Sequence, residues 1–276
     1  VDKLVQKSFE VIVIDNKFDN KNKNASYYKY DINNYELIEP LFMGIDYVFH
    51  LAAESRIQPT IENPRLAMKT NVLGTCNVLE ASRKHNIKRV MYSSTSSAYG
   101  LKNDPPLVED MHRDCLNPYS VSKCAGEDLC KMYYSLYGLE TVIFRYFNVY
   151  GERQPTKGQY APVIGIFQRQ YSNGEPMTVV GDGSQTRDYV HVSDVVNANI
   201  LMALHEDESC LGEIFNVGTG TSYSVMDIVS MIGSDNGDYV NVPNRAGEAK
   251  NTLADNKKLK SFGWTPKIKL QEWIKS

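Results

Sequence analysis

Cysteine is scarce in this sequence and carries no recognisable spacing. The five cysteines, Cys76, Cys115, Cys124, Cys130 and Cys210, form no Cys-x-x-Cys pair, and no His–Cys cluster has zinc spacing. A disulfide scaffold is excluded by the odd count and by a length of 276 residues, enough to bury a large core. Free thiols in a reducing cytoplasm are therefore expected, with no metal. No apolar run approaches the roughly 20 residues of a membrane span, so no membrane association is expected. Charge of one sign is also lacking: a formal net charge of −3 provides no basic field to attract nucleic acid. Glycine is absent before Gly44, and the chain starts at Val1 rather than at a methionine. Residues 1–9, with Asp2, Lys3 and Lys7, read as the end of an amphipathic helix and not as a signal peptide.

What the chain does contain is an alternation of short apolar runs with helical patterns. Val11-Ile12-Val13-Ile14 reads as a strand buried on both faces, and 46–53 (DYVFHLAA) as another. From Pro64 to about Asn86, apolar residues Leu66, Val72, Cys76, Leu79 and Ala81 recur at three- to four-residue steps, and Pro64 suits a first helical turn. A third strand is predicted over 89–95 (RVMYSST). A helix follows from Pro118 to about Tyr137 with Gly138 as its cap, then a fourth strand over 141–147 (TVIFRYF). This order predicts an α/β, doubly wound, Rossmann-like parallel sheet, with ligands at the carboxyl ends of its strands. Polar or small residues stand at those ends: Asp15, Ala52-Ala53, Thr95 and Asn148. Beyond residue 150 prolines and glycines break the alternation, which predicts a smaller lobe. The run 213–217 (EIFNV) is expected to return to the main sheet, and the Asn/Lys-rich stretch 17–29 to be a solvated loop.

Tyr119 and Lys123 form a Tyr-x-x-x-Lys pair, and the i, i+4 spacing places both on one face of the predicted helix. A phenol titrates near 10 and is a poor base at neutral pH; a neighbouring ammonium favours its ionised form. The pair can then draw a proton from a substrate hydroxyl. Thr95, at a strand end, supplies a hydroxyl able to share that proton.

The segments HLAAES (50–55), NVLGT (71–75), SSTSSAYG (93–100), NPYSVSK (117–123), RYFNVYG (145–151), VGDGSQTRDYVHVSDV (180–195), FNVGTG (215–220) and RAGEAKNTLAD (245–255) resemble the extended short-chain dehydrogenase/reductases, in that family's order and across almost the whole chain. The subgroup resembled is the UDP-glucose and UDP-N-acetylglucosamine 4-epimerases. The resemblance implies a family domain over 1–150, with 189–218 returning to it, and a sugar-nucleotide lobe from 151–188 and 219–276. It further implies about 20 more residues ahead of Val1, carrying a first strand and a GxxGxxG phosphate loop.

By resemblance, Tyr119 is the catalytic base, Lys123 its partner and ribose ligand, and Thr95 the third member. NAD is the implied cofactor. Asp15 would grip its ribose hydroxyls, with Asn16 beside it, Asp31 and Ile32 beside adenine, and Leu51, Ala52, Ala53, Asn71, Ser93 and Tyr146 completing its shell. A UDP-sugar is the implied substrate. Arg187 and Arg245 would hold the diphosphate, Glu248 the nucleotide ribose, Asn148 the diphosphate or sugar, and Val179 the base. Related dehydratases follow the threonine with Asp-Glu; here Ser96 and Ser97 follow, which favours 4-epimerisation and adds hydroxyls near the sugar. Thr252 takes the position where some UDP-glucose epimerases carry a tyrosine, leaving room for an N-acetyl group. The implied reaction removes the 4-hydroxyl proton and C4 hydride, turns the 4-keto sugar over, and returns the hydride to the other face. A homodimer through helices 64–86 and 117–137, a cytoplasmic location and a supply role in cell-surface polysaccharide synthesis complete the expectation. A uronate 4-epimerase, a 4-reductase, a dehydratase or a non-catalytic NAD-binding protein on the same fold are the alternatives.

Overall fold

A computed structural model describes residues 1–17, 21–158, 161–233, 238–244 and 249–275. The strands are β1 (Ile12–Ile14), β2 (Ser26–Tyr28), β3 (Tyr47–His50), β4 (Arg89–Thr95), β5 (Glu140–Tyr146), β6 (Asn148–Tyr150), β7 (Met177–Val180), β8 (Thr186–His191), β9 (Ile214–Val217), β10 (Ser222–Ser224) and β11 (Tyr239–Val242). The scaffold is a four-stranded parallel sheet in the order β3-β4-β5-β9. All seven residues of β4 are buried, and successive side chains go to opposite faces. Val90 and Tyr92 of β4 and Ile143 of β5 enter one core, with Val78, Leu79 and Ala81 of the 64–84 helical segment. Met91 of β4 and Val142 and Phe144 of β5 enter a second core, with Val195, Ala198 and Met202 of helix Val192–Ala203. Helices therefore cover both faces, as the unbroken apolar runs require.

A third core belongs to the later part of the chain. Tyr150, Ile164, Phe167, Met177, Val179, Tyr189, Val225 and Ile228 pack together there. Around them lie the sheets β10-β8-β6 and β11-β7. Phe147, between β5 and β6, joins Tyr99, Leu107 and Ala254 in a small cluster that ties this part to the loop after β4.

Three sequence expectations change. The 17–29 stretch is not all loop, because Ser26–Tyr28 forms β2, parallel to β1, with Ser26 opposite Ile12. A polar composition hid the aromatic pair Tyr27-Tyr28. β1 is only half-buried rather than buried on both faces, and among the described residues β1 and β2 form a two-stranded sheet not hydrogen-bonded to the sheet of β3. The helix from Pro64 ends at Lys84 and is interrupted by a π turn at Lys69–Leu73. Such turns concentrate at functional sites, and this one holds Asn71.

Candidate functional site

The site is assembled where β4 ends and helix Pro118–Tyr137 begins. Asn117 caps that helix through the Ser120 N–H, Ser120 returns the bond to the Asn117 N–H, and Pro118 occupies the first turn. The cap fixes the turn that carries Tyr119. Gly138, at φ 71°, ends the helix in the left-handed conformation that glycine adopts without steric cost. At the end of β4, Thr95 Oγ1 accepts the Ser97 N–H at 3.1 Å and caps the short 3-10 turn Ser96–Tyr99. The Thr95 hydroxyl also acts on the Tyr119 phenol, favouring its ionised form. Thr95, Tyr119 and the Ser96-Ser97 turn thus come together.

The electrostatics differ from the expected Tyr–Lys couple. Burial raises the Tyr119 phenol above its ordinary value, opposed by the Thr95 hydroxyl and by the positive charge of Arg56. Arg56 stands at the start of helix Ile57–Glu62 and was not found by sequence reading. Lys123 is 2% exposed, and burial drives its ammonium down to about 8 against the pull of Cys130, Glu127 and Cys124. Its Nζ lies 4.4 Å from the centroid of the Tyr92 ring, and the Tyr92 hydroxyl donates to the Lys123 carbonyl at 3.1 Å. An aromatic face favours a cation most when both are desolvated. His50, behind Lys123, is driven down to about 3 by burial and by that ammonium, so its imidazole is neutral. The Thr75 hydroxyl donates to the Asn71 carbonyl, which leaves it to accept from His50 Nε2–H at 2.9 Å.

One expected result follows for the lysine. Tyr92→Leu removes the ring that stabilises the ammonium and moves the alkaline limb of the pH–rate profile about one unit lower, whereas Tyr92→Phe keeps the ring and the wild-type limb. Identical profiles for all three proteins would remove Tyr92 from the account of Lys123.

Other expected ligands fall into separate groups. Ser93 Oγ donates to the Tyr146 hydroxyl at 3.3 Å, and Tyr146 is joined to Asn199 at 2.7–3.0 Å. Asn71 is fully buried; its side chain binds both the N–H and the C=O of Glu54 and donates to Ser122 Oγ. It therefore fastens the loop after β3 to helix Pro118–Tyr137. Asp31 accepts from the backbone and side chain of Asn33, and the Ile32 side chain is 7% exposed, in the core. Leu51 is exposed, whereas Ala52 packs on the core. Asn16 is exposed, and Asp15 accepts the Lys17 N–H at 2.9 Å. Asp15, Val13, Tyr27, Ser193 and Asn197 line a cavity of about 640 Å³ that neither Tyr119 nor Lys123 borders.

Of the residues expected to hold the sugar nucleotide, Asn148, Arg187 and Thr252 meet around β8. The Asn148 amide donates to the Asp188 carbonyl at 3.1 Å. Arg187 donates to the carbonyls of Thr186 and Lys250 at 2.9 and 2.8 Å. Val179 is 0% exposed, so its side chain packs in the third core instead of facing a base. Thr252 is 6% exposed, its N–H donates to the Thr186 carbonyl, and its hydroxyl has no partner among the described residues. Arg245 and Glu248 lie outside the described residues. Asp188, beside Arg187, was missed: fully buried, it accepts from the N–H groups of Thr219, Gly220 and Ala254 and from the Thr219 hydroxyl. Nothing in its local spacing distinguishes it from a surface carboxylate.

Glu127 was also missed, although it follows Lys123 by one helical turn. It is 0% exposed, and Oε1 accepts Ser94 Oγ at 2.5 Å and Arg145 Nε at 2.9 Å. Oε2 accepts from Arg145 at 2.8 Å and lies 3.0 Å from Arg113. The carboxylate thus clamps helix Pro118–Tyr137 to β4 next to Thr95 and to β5.

Comparison with known proteins shows the family. The NAD dependent epimerase/dehydratase family matches residues 1–218. A UDP-glucose 4-epimerase from Thermotoga maritima, solved with UDP-glucose, superposes with a TM-score of 0.93 at 36% identity over 99% of this chain and 91% of that one. A UDP-N-acetylglucosamine 4-epimerase from Methanobrevibacter ruminantium, in complex with UDP-N-acetylmuramic acid, gives 0.88 at 32% identity over 96% and 88% of the two chains. A UDP-glucuronate 4-epimerase of Thermodesulfobacterium geofontis is 32% identical over 92% of this chain and 79% of its own length. With its Tyr119–Thr95 pair at the carboxyl end of a parallel sheet and this match over most of its length, the chain belongs to the NAD dependent epimerase/dehydratase family.

Proposed function

We propose that the protein interconverts UDP-sugars at C4 as an NAD-dependent epimerase. The observation that carries this reading is the Thr95 hydroxyl acting on the Tyr119 phenol, with Lys123 buried one helical turn further on and no acidic pair after the threonine. Tyr119 takes the 4-hydroxyl proton and gives it back, and Thr95 holds the phenol in line with that hydroxyl. Lys123 is proposed to hold the cofactor ribose, while Arg56 supplies the positive charge that acts on the phenol. The residues present fit NAD: Asp15 lines an open cavity at a strand end and suits ribose hydroxyls, and Ala52 and Ala53 give a backbone clear of bulk. When bound, NAD would accept and return the C4 hydride. Arg187, with Arg245 and Glu248, is proposed to hold the nucleotide diphosphate and ribose, so that the sugar alone turns.

Two observations bear on which sugar. The small side chain of Thr252, at the position where some UDP-glucose epimerases carry a tyrosine, supports room for a substrate 2-substituent, which admits UDP-N-acetylglucosamine as well as UDP-glucose. The charge of Arg56 acting at Tyr119 favours a second reading, a uronate whose C5 carboxylate would meet that cation. Incubation with UDP-glucose, UDP-N-acetylglucosamine and UDP-glucuronate, with the epimers identified, separates the readings. The acetylated sugar is expected to turn over comparably to the plain one, and Thr252→Tyr to suppress it selectively through overpacking. A variant that slows both equally removes Thr252 from the specificity, exclusive turnover of UDP-glucuronate selects the second reading, and no epimer at all defeats the function.

A homodimer belongs to the same proposal. Leu66, Leu73, Val121 and Leu136 are 41–65% exposed on helical segments that pack side by side, an apolar surface of the kind that partners cover. Light scattering is expected to give a dimer mass that Leu73→Glu reduces to a monomer; a monomeric wild type refutes it. Five cysteines without a disulfide support a cytoplasmic setting, where the product would serve polysaccharide-building transferases.

A further inference from the structure

Two of the cysteines bracket the catalytic pair. Cys115 lies two residues before the helix cap Asn117, and Cys124 directly follows Lys123, so the segment between them contains both Tyr119 and Lys123. The structure brings their sulfurs to 3.4 Å, within hydrogen-bond reach of each other. The two differ in setting. Cys124 is 5% exposed in the helix, whereas Cys115 is half-exposed at the helix entrance. Hydrogen bonds from Cys124 and Ser120, with the nearby Arg113 cation, hold the Cys115 thiol down to about 7, whereas its partner and burial push the Cys124 thiol up. Cys115 is therefore the accessible nucleophile and Cys124 the buried resolving thiol.

We propose that Cys115 and Cys124 are a peroxide-reactive thiol pair whose disulfide reversibly disables the site by displacing the turn that carries Tyr119. The Cys115 thiolate attacks one oxygen of hydrogen peroxide, an S–O bond forms as the O–O bond breaks, and the hydroxide leaves as water with the thiol proton. Cys124 sulfur then attacks Cys115 sulfur, the S–S bond forms, and the sulfenic oxygen departs as a second water with the Cys124 proton. Two thiols and one peroxide give one disulfide and two waters; a dithiol reductant reverses the bond by exchange.

The coupling to the site is mechanical. Drawing sulfurs from 3.4 Å to covalent distance moves the flanking backbone by on the order of 1 Å. On the Cys124 side the chain is held in the helix by Glu127 and its arginines. On the Cys115 side the neighbouring Asp114 is fastened to the loop after β4, its N–H to the Ala98 carbonyl and its carboxylate to the N–H groups of Leu101 and Lys102. With both ends held, the displacement falls on the intervening turn, and a shift of about 1 Å at a reacting group costs roughly 10²-fold in rate.

The test treats the full chain with stoichiometric hydrogen peroxide, then alkylates and digests with trypsin. Cleavage after Arg113, Lys123 and Lys131 puts the two cysteines on adjacent peptides, so the expected product is a crosslink between peptides 114–123 and 124–131, with fragment ions placing the bond at Cys124 and showing Cys130 alkylated. It forms before Cys76, the other half-exposed thiol, is oxidised. UDP-sugar turnover is expected to fall about 10²-fold and return with dithiothreitol, while Cys115→Ser and Cys124→Ser keep untreated activity and lose the response. Cys115 oxidised to sulfinic acid without a crosslink, or a crosslink that leaves turnover unchanged, overturns the proposal. The switch rests on the epimerase reading for its activity readout only: the crosslink is scored on the peptides, so its failure is distinguishable from absence of epimerase activity.

Discussion

Tyr119→Phe should lower turnover by about 10²–10⁴, the range for loss of a positioned acid–base group, while leaving sugar-nucleotide binding intact. The substitution removes one oxygen from a half-buried turn whose backbone is set by the Asn117 cap and Pro118, so the fold has no reason to respond. The phenol is the group on which the Thr95 hydroxyl acts; phenylalanine preserves the ring and deletes the proposed proton acceptor. Calorimetric titration with UDP should give a dissociation constant within a fewfold of wild type, because Arg187 and its neighbours lie on β8 and the 249–252 segment, away from the cap. Near-normal turnover in Tyr119→Phe would take the base away from this residue. The rate should also depend on pH in a definite sense. Burial holds Lys123 at about 8, so its charge is present below that pH and lost above it, and turnover that needs the ammonium should decline on the alkaline side.

Glu127→Ala should lower the free energy of unfolding by about 3–5 kcal/mol, the cost of removing one partner from a buried ion pair. The side chain of Arg145 is 2% exposed and bound by both carboxylate oxygens; without Glu127 it is a buried cation with no counter-charge. Against a typical domain stability of about 5–15 kcal/mol that loss is large, and urea denaturation measures it directly. A loss under about 1 kcal/mol, the level of a surface pair, would show that the cluster relaxes to water. Burial raises the Glu127 carboxyl, but Arg145, Ser94 and Arg113 outweigh it and hold it below the ordinary range. A depressed folded-state value contributes stability that is present above the unfolded value and lost as pH falls through the folded one. Glu127→Gln should therefore flatten the acid side of the stability profile.

The clearest features of the fold in the sequence were those set by neighbours along the chain. β4 matches the apolar run from Arg89 to Thr95 residue for residue, and helix Pro118–Tyr137 begins at its proline and ends at its glycine, because caps and strand continuity are local signals. β2 was lost in a polar stretch since a three-residue strand carries too little pattern. The π turn at 69–73 was invisible because its cause is distant: Asn71 reaches across to Glu54 and Ser122.

The site divides along the same line. Tyr119, Lys123 and Thr95 could be named as candidates because they stand on one helix turn and one strand end and within the family-like segments. Glu127 had a faint local signal, one turn beyond Lys123. The partners that tune these groups had none: Arg56 acts on Tyr119, Tyr92 lies under Lys123, and Cys115 meets Cys124. The sequence by itself determined the strand–helix order, the buried sheet, the Tyr–Lys helix face and the family. Only the tertiary structure decided that burial raises the phenol, that an aromatic face carries the ammonium, and that two unpatterned cysteines stand sulfur to sulfur. Charge, burial and thiol reactivity depend on distances across the fold, and such distances follow from packing between elements, which no local spacing records.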